Sequence, residues 1–278
     1  MTAPAIEHAP RIARVGEIDI SYDDVGSGPP LAMLHGTGPG ASGWSNFRLT
    51  IPAFADRYRV IVPDLPRYGK SSKVPIRGPR LTVLSGIMAG FFEAIGVTDA
   101  NIIGNSMGGQ AAMKLAIDRP DLVRRLVVMG SPPLGPSAMS PSPSEAIRLI
   151  EGYYKGTGPS PEKMRQLLSA MVYDQTLVTD DLVQARYESS IDPEVIEANK
   201  GPKWEIESLE GQLGRLAAPV LIAWGQDDRA APLDIGIRMV RELPNARLVL
   251  FSRCGHWAQV ERAREFNALV ATFLDTDL

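Results

Sequence analysis

The sequence predicts an α/β protein: a mostly parallel central sheet covered by helices on both faces, interrupted once by a block of helices. Three observations carry this. Short apolar runs alternate with segments of helical periodicity up to about Pro132. From residue 133 to about 211 the alternation stops and only helical segments follow. From residue 212 to 278 the strand-helix alternation resumes. The expected organisation is therefore a core in two parts, 1–132 and 212–278, with a helical lid at 133–211.

In order along the chain, "RIARV" and "IDISYDDVG" read as two strands joined in hairpin fashion at Gly16-Glu17. "PPLAMLHG" and "RVIVPD" are continuous apolar runs, as expected of strands buried on both faces. Between them "ASGWSNFRLTIPAFADRY" reads as short helix, with Pro52 at a break or a first turn. "LTVLSGIMAGFFEAIG" has helical spacing and closes on Gly96. "NIIGN" is a strand, "MGGQAAMKLAIDRP" a helix stopped by Pro120, and "VRRLVVMGSP" a strand. The Pro/Ser-rich "PPLGPSAMSPSPSEA" then leads into four helices, three of which open on Ser, Thr or Asp before acidic residues, good N-cap chemistry. "APVLIAWG", a helix from about Pro232, the strand "ARLVLFS" and the helix "AREFNALVATFL" complete the series.

Composition narrows the function. Hydrophobic residues make up 44% and charged ones 22% of the 278, ordinary for a globular protein. A net charge of −3 without a Lys/Arg run argues against nucleic acid or an anionic membrane as partner. Cys254 is alone, which excludes an intrachain disulfide and fits a reducing compartment. Three histidines and no CxxC or HExxH leave little for a metal site, and no cofactor is expected. Neither a signal-peptide core nor a membrane-length apolar run is present, so the expected location is cytoplasmic.

Gly104-Asn105-Ser106-Met107-Gly108 is a G-x-S-x-G between a strand and a helix, the setting in which a strained turn lifts a serine hydroxyl above a sheet. The bland alternative is a glycine-rich turn with an incidental serine. A serine nucleophile needs a base, and the base an orienting acid, in the order Ser, Asp/Glu, His that accompanies this elbow. His8 lies in what reads as a loose tail, and His35 precedes Ser106 in a Gly-rich turn that it would brace. His256 remains as the base. "WGQDDRAAP" offers Asp227 and Asp228, and the spacing from Gly225 favours Asp228. Oxyanion donors are expected from the backbone of Met107 and from the loop "HGTGPGAS", at Thr37 first and Gly38 second.

These residues resemble the α/β-hydrolase fold over nearly the whole chain. A serine at the elbow, where epoxide hydrolases and haloalkane dehalogenases have aspartate, argues against both. "HGTGPGASGWSNF", "GNSMGG", "VYDQTLVTDDLVQARYESS", "WGQDDRAAPLD" and "CGHWAQVE" look like the meta-cleavage product hydrolases. The resemblance implies hydrolysis of the C5–C6 bond of a 2-hydroxy-6-oxo-6-substituted hexa-2,4-dienoate, after ketonisation of the dienol. It also implies that Arg186 binds the substrate carboxylate, that Asn46 and Asn105 hold its carboxylate and 2-oxygen end, and that His256 serves both proton transfers. Trp257, Met171, Trp204, Ala230 and Ala231 would line the pocket, and the two small alanines hint at an aryl group on C6. Family members are commonly homo-oligomers. "DLPRYGKS" departs from the family at Arg67, where a pocket wall or an interface could change. Two other readings stay open: a carboxylesterase or lactonase with the same triad, and a non-catalytic hydrolase-fold protein that binds a small ligand.

Overall fold

The protein is described by a computed structural model over residues 6–75, 77–201 and 204–276. Eight strands form one sheet: β1 (Arg11–Val15), β2 (Ile18–Val25), β3 (Pro30–Leu34), β4 (Arg59–Pro63), β5 (Ala100–Asn105), β6 (Val123–Met129), β7 (Val220–Gly225) and β8 (Ala246–Phe251). Their order is β1-β2-β4-β3-β5-β6-β7-β8. The first two pair as an antiparallel hairpin, β2 is antiparallel to β4, and every later pairing is parallel.

The apolar runs alternate strictly between two cores because successive strand side chains point to opposite faces. Ala32, Leu34, Ile102, Val128 and Trp224 face a layer formed by α3 (Arg80–Ala94), α4 (Met107–Asp118) and α9 (Leu233–Glu242). Leu31, Met33, Ile103, Val127 and Ala223 face the opposite layer, built from α1 (Gly43–Phe47), α2 (Ile51–Phe54) and α11 (Ala263–Asp275). Parallel strands without a polar face need this double cover.

Between β6 and β7 lie α5 (Glu145–Gly152), α6 (Pro161–Met171), α7 (Asp180–Ser190) and α8 (Pro193–Lys200). Ser160, Thr179 and Asp192 cap the last three through their side chains. These inserted helices share a small core of their own, with Tyr153, Met164, Leu168, Met171 and Val183 buried together.

The chain runs from β3 to β4 on one side, then crosses through α3 to β5 on the other side of β3. The strand order therefore reverses at β3/β5, and Leu34 pairs with Gly104 at the carboxyl ends of both. In open α/β sheets a crevice for ligands forms at such a switch point. One sequence expectation fails nearby. His8 is not in a loose tail: its Nδ1 lies 2.9 Å from Asp23, and its ring stacks on Trp44 at 4.7 Å. A buried carboxylate and an indole face hold it, neither of which is adjacent in sequence. Residues 1–5 of that segment lie outside the described residues.

Candidate active site

Ser106 stands between β5 and α4 with φ of 51°. That left-handed backbone costs a residue with a Cβ about 1 kcal/mol or more. The strand-to-helix reversal forces it, and Ser106 N is fixed by donating to Met129 O at 2.8 Å. Space around the turn is made by glycine: a Cβ on Gly108 would lie 2.1 Å from Leu34 O.

The loop after β3 packs directly on this elbow. A Cβ on Gly36 would come 2.8 Å from Asn105 Oδ1 and 3.1 Å from Ser106 Cβ. His35 braces the loop, as its Nε2 accepts from Leu65 N at 2.9 Å while Nδ1 donates to Gly36 O at 2.8 Å. That pairing requires a neutral ring, and burial holds the imidazole below its ordinary 6.5 against the opposing pull of Asp64. Thr37 is fixed from the side by a 2.6 Å hydrogen bond between its hydroxyl and that of Tyr68. Met107, buried, opens α4.

Of the two aspartates after β7, Asp228 is the one brought to His256. Its Oδ2 lies 2.8 Å from His256 Nδ1, and its Oδ1 accepts from the backbone N–H of Ala230 and of Ala231, each at 2.8 Å. Both side chains of the pair are almost fully buried, at 5% and 1% exposure. Asp227 instead turns its backbone N–H to Cys254 O. Gly130, at the end of β6 with φ of 48°, leaves room for the pair: a Cβ there would sit 2.7 Å from His256 Nδ1.

Arg186 comes down from α7 into the same region. Only 8% of it is exposed. Its guanidinium lies 5.8 Å above the Trp257 ring, and Nη2 is 3.6 Å from where a Cβ on Gly38 would be. Its Nε is buried without a hydrogen-bond partner among the described residues. Burial lowers its pKa to about 10, so it is still a cation at neutral pH. Asn46 Nδ2 faces Asn105 Oδ1 at 3.4 Å, and Asn105 Nδ2 reaches Met129 O at 3.3 Å. Asn46, Arg186 and Trp257 border one cavity with Val172, Leu177 and Val178 of the insertion. The remaining pocket candidates are spread more widely. Met171 and Ala230 lie in the core of the inserted helices, Ala231 in the core under the sheet, and Trp204 packs at that core's edge under Arg67.

Sequence reasoning passed over Tyr68, Gly130 and Glu261. Gly130 had a signal, a glycine directly after a buried strand. Tyr68 acts on Thr37, distant in sequence, and Glu261 accepts both from nearby Gly255 N and from distant Tyr173 N and Asp174 N; neither had a signal.

Residues 29–263 match the family model described as the alpha/beta hydrolase fold. The 2-hydroxy-6-oxononadienedioate/2-hydroxy-6-oxononatrienedioate hydrolase of Burkholderia vietnamiensis is 40% identical over 266 residues, covering 93% of this chain and 91% of that one. The 2-hydroxy-6-oxo-6-phenylhexa-2,4-dienoate hydrolase of Comamonas testosteroni is also 40% identical, covering 95% and 96%. Among solved structures, a meta-cleavage product hydrolase from Pseudomonas fluorescens IP01 superposes with a TM-score of 0.87 at 33% identity, covering 95% and 97%.

Proposed function

This chain belongs to the α/β-hydrolase family and within it to the meta-cleavage product hydrolases, and we propose that it splits the C5–C6 bond of a 2-hydroxy-6-oxo-6-substituted hexa-2,4-dienoate at the site built around Ser106. The observation that carries the substrate class is Arg186. A guanidinium buried over an indole, with an Nε that has no partner among the described residues, is costly unless an anion joins it. A planar fork suits a carboxylate; Asn46 borders the same cavity as Arg186, and with Asn105 beside it would hold the adjacent 2-oxygen.

With the carboxylate held there, the dienol must become a ketone before C5–C6 can break, since the electrons of that bond need a sink. His256 carries the proton from the 2-hydroxyl to C5. The Asp228 contact at Nδ1 leaves Nε2 as the basic nitrogen for this transfer. His256 then takes the Ser106 proton as the hydroxyl oxygen adds to the C6 carbonyl. The backbone N–H groups of Met107 and Thr37 receive the developing oxyanion. Collapse of the adduct breaks C5–C6, the electron pair passes through the C1–C5 fragment to its 2-oxygen, and that oxygen takes the proton His256 received from Ser106, so the fragment leaves as 2-hydroxypenta-2,4-dienoate. Water, giving a proton to the now neutral His256, then adds to the acyl group left on Ser106, the bond to the serine oxygen breaks as that oxygen regains the proton, and the other product leaves as a carboxylic acid. The inserted helices act as the lid over this chemistry, and the apolar cavity wall of Val172, Leu177 and Val178 favours an apolar, aryl-bearing C6 end.

The test is the loss of colour of ring-fission dienoates carrying phenyl, methyl or carboxyethyl groups on C6. Turnover abolished by Ser106→Ala supports the reading, and a preference for methyl or carboxyethyl removes the aryl assignment. A carboxylesterase would instead keep its activity on neutral esters, show no dienoate turnover, and be insensitive to Arg186→Ala.

A further inference from the structure

His256 is not held in place by Asp228 alone. The loop that carries it, 254–256, is followed by the single helical turn α10 (Ala258–Glu261), whose last residue folds its side chain back toward that loop. Glu261 Oε1 accepts from Gly255 N, the residue before His256, at 2.6 Å. Its other oxygen, Oε2, accepts from Tyr173 N at 2.7 Å and from Asp174 N at 3.0 Å. Those two amides lie in the segment that leaves α6 for α7, within the inserted helices. The same two stretches touch again through His256 N, which donates to Met171 O at 2.8 Å. The approach is close enough that a Cβ on Gly255 would lie 2.7 Å from Met171 O and 2.9 Å from Val172 Cα.

One carboxylate thus divides its oxygens between two parts of the chain that are far apart in sequence, one oxygen to the histidine loop and one to the insertion. Half-burial pushes Glu261 above its ordinary pKa, opposed by the three backbone donors. We propose that Glu261 is a positioning residue for the reaction: it strings the insertion to the His256 loop, so that the histidine is held at working geometry while the segment 171–174 is in place. It touches neither substrate nor reacting atoms, and it rests only on the reading of His256 as the base for Ser106.

Two substitutions test this. Glu261→Gln keeps one acceptor oxygen and turns an NH2 group against backbone N–H donors, so it cuts one half of the bridge while preserving shape. Glu261→Ala cuts both halves. Each is measured for kcat and KM on a dienoate, for the rate of Ser106 labelling by a neutral phosphonate, and for melting temperature. The expected result is a kcat about tenfold lower in Glu261→Gln, with labelling slowed in parallel and KM changed less than about threefold, because misplacing a base by a fraction of an ångström acts on the chemical step. A Glu261→Gln protein that melts earlier but labels and turns over at the wild-type rate well below its melting temperature overturns the proposal. If Glu261→Ala does not fold, the glutamine variant decides alone. If the wild type labels but converts no dienoate, the substrate reading fails, and the labelling rates still decide the role of Glu261.

Discussion

Arg186 shows how much of an enzyme's energetics can sit in one side chain. A cation taken out of water with an orphaned Nε destabilises the folded chain, and a substrate carboxylate would relieve that cost at the moment of binding. Arg186→Gln should therefore lower kcat/KM for a dienoate by roughly 10- to 100-fold, the value of a charge-assisted hydrogen bond. The same change should leave the melting temperature unchanged or raise it, and hydrolysis of a small neutral ester nearly untouched. Steady-state kinetics on both substrates with thermal melts checks this, and an equal loss on the neutral ester would sink it. His35 makes the opposite bargain. It is buried neutral, with a pKa lowered from 6.5, so the unfolded chain takes up a proton before the folded chain does. Stability present above pH 6.5 is lost as the pH falls from there toward the lowered folded value, by at most about 1.4 kcal/mol per unit. Denaturant unfolding at pH 5 to 7 should show that slope, and His35→Gln should flatten it. At this scale the sequence was legible where the chemistry uses scarce residue types. With three histidines the base nearly names itself, whereas Arg186 reads as a solvated helix residue until its burial or its family is known.

Among the elements, strands and helix starts were the readable part, because each is written locally. The runs for β3, β5 and β7 are apolar throughout, and Ser160, Thr179 and Asp192 are recognisable caps whose side chains do accept the expected backbone bonds. What could not be read was how elements are tied together. Arg67 is the sharpest instance, visible as a departure from the family pattern but silent about its contacts. It holds a φ of 77°, donates to Ala198 O in the last turn of α8, and stacks its guanidinium 5.7 Å from the Trp204 ring. A cation is favoured at a helix C-terminus by a few tenths to 1 kcal/mol, and an exposed cation–π contact adds about as much. The left-handed backbone costs about 1 kcal/mol, which glycine would not incur. Arg67→Gly should therefore shift the melting temperature little while releasing α8 from the core. Loss of about 1 kcal/mol from the closed arrangement would raise KM for a dienoate roughly fivefold. A melting temperature lowered by many degrees with KM unchanged would show Arg67 to be a fold residue and nothing more.

For the molecule as a whole, the rhythm of strands and helices was enough to predict the mostly parallel sheet, since each long apolar run must find a buried position. The rhythm says nothing of how firmly the parts cohere, which depends on contacts between distant segments. Two large cores flank the sheet, and the inserted helices carry a third, separate one. The helices α5 to α7 are tied to the rest of the chain by polar contacts that include Ser144 Oγ to Ala230 O at 2.7 Å, Ala146 N to Arg229 O at 3.2 Å, the Arg229–Glu145 ion pair, His256 N to Met171 O and the Glu261 bridge, while the ends of the insertion, at Leu134 and Leu209, are buried in a main core. Lifting α5 to α7 leaves both main cores and most of the core these helices carry themselves intact, so they should open as a unit of low free energy. Native-state hydrogen exchange should show amides of α6 and α7 exchanging through openings several kcal/mol cheaper than those of β3, β5 and β6. On the proposed reading, binding a dienoate to the Ser106→Ala variant would join Arg186 of the insertion to Asn105 of the sheet, and should raise protection in α7 and in segment 171–174 more than in α3, which packs on α4. Protection that rises uniformly over the chain would mean stabilisation by mass action alone. A selective rise would mean that the substrate itself closes the insertion over Ser106, with the carboxylate on Arg186 as the contact that favours the closed state.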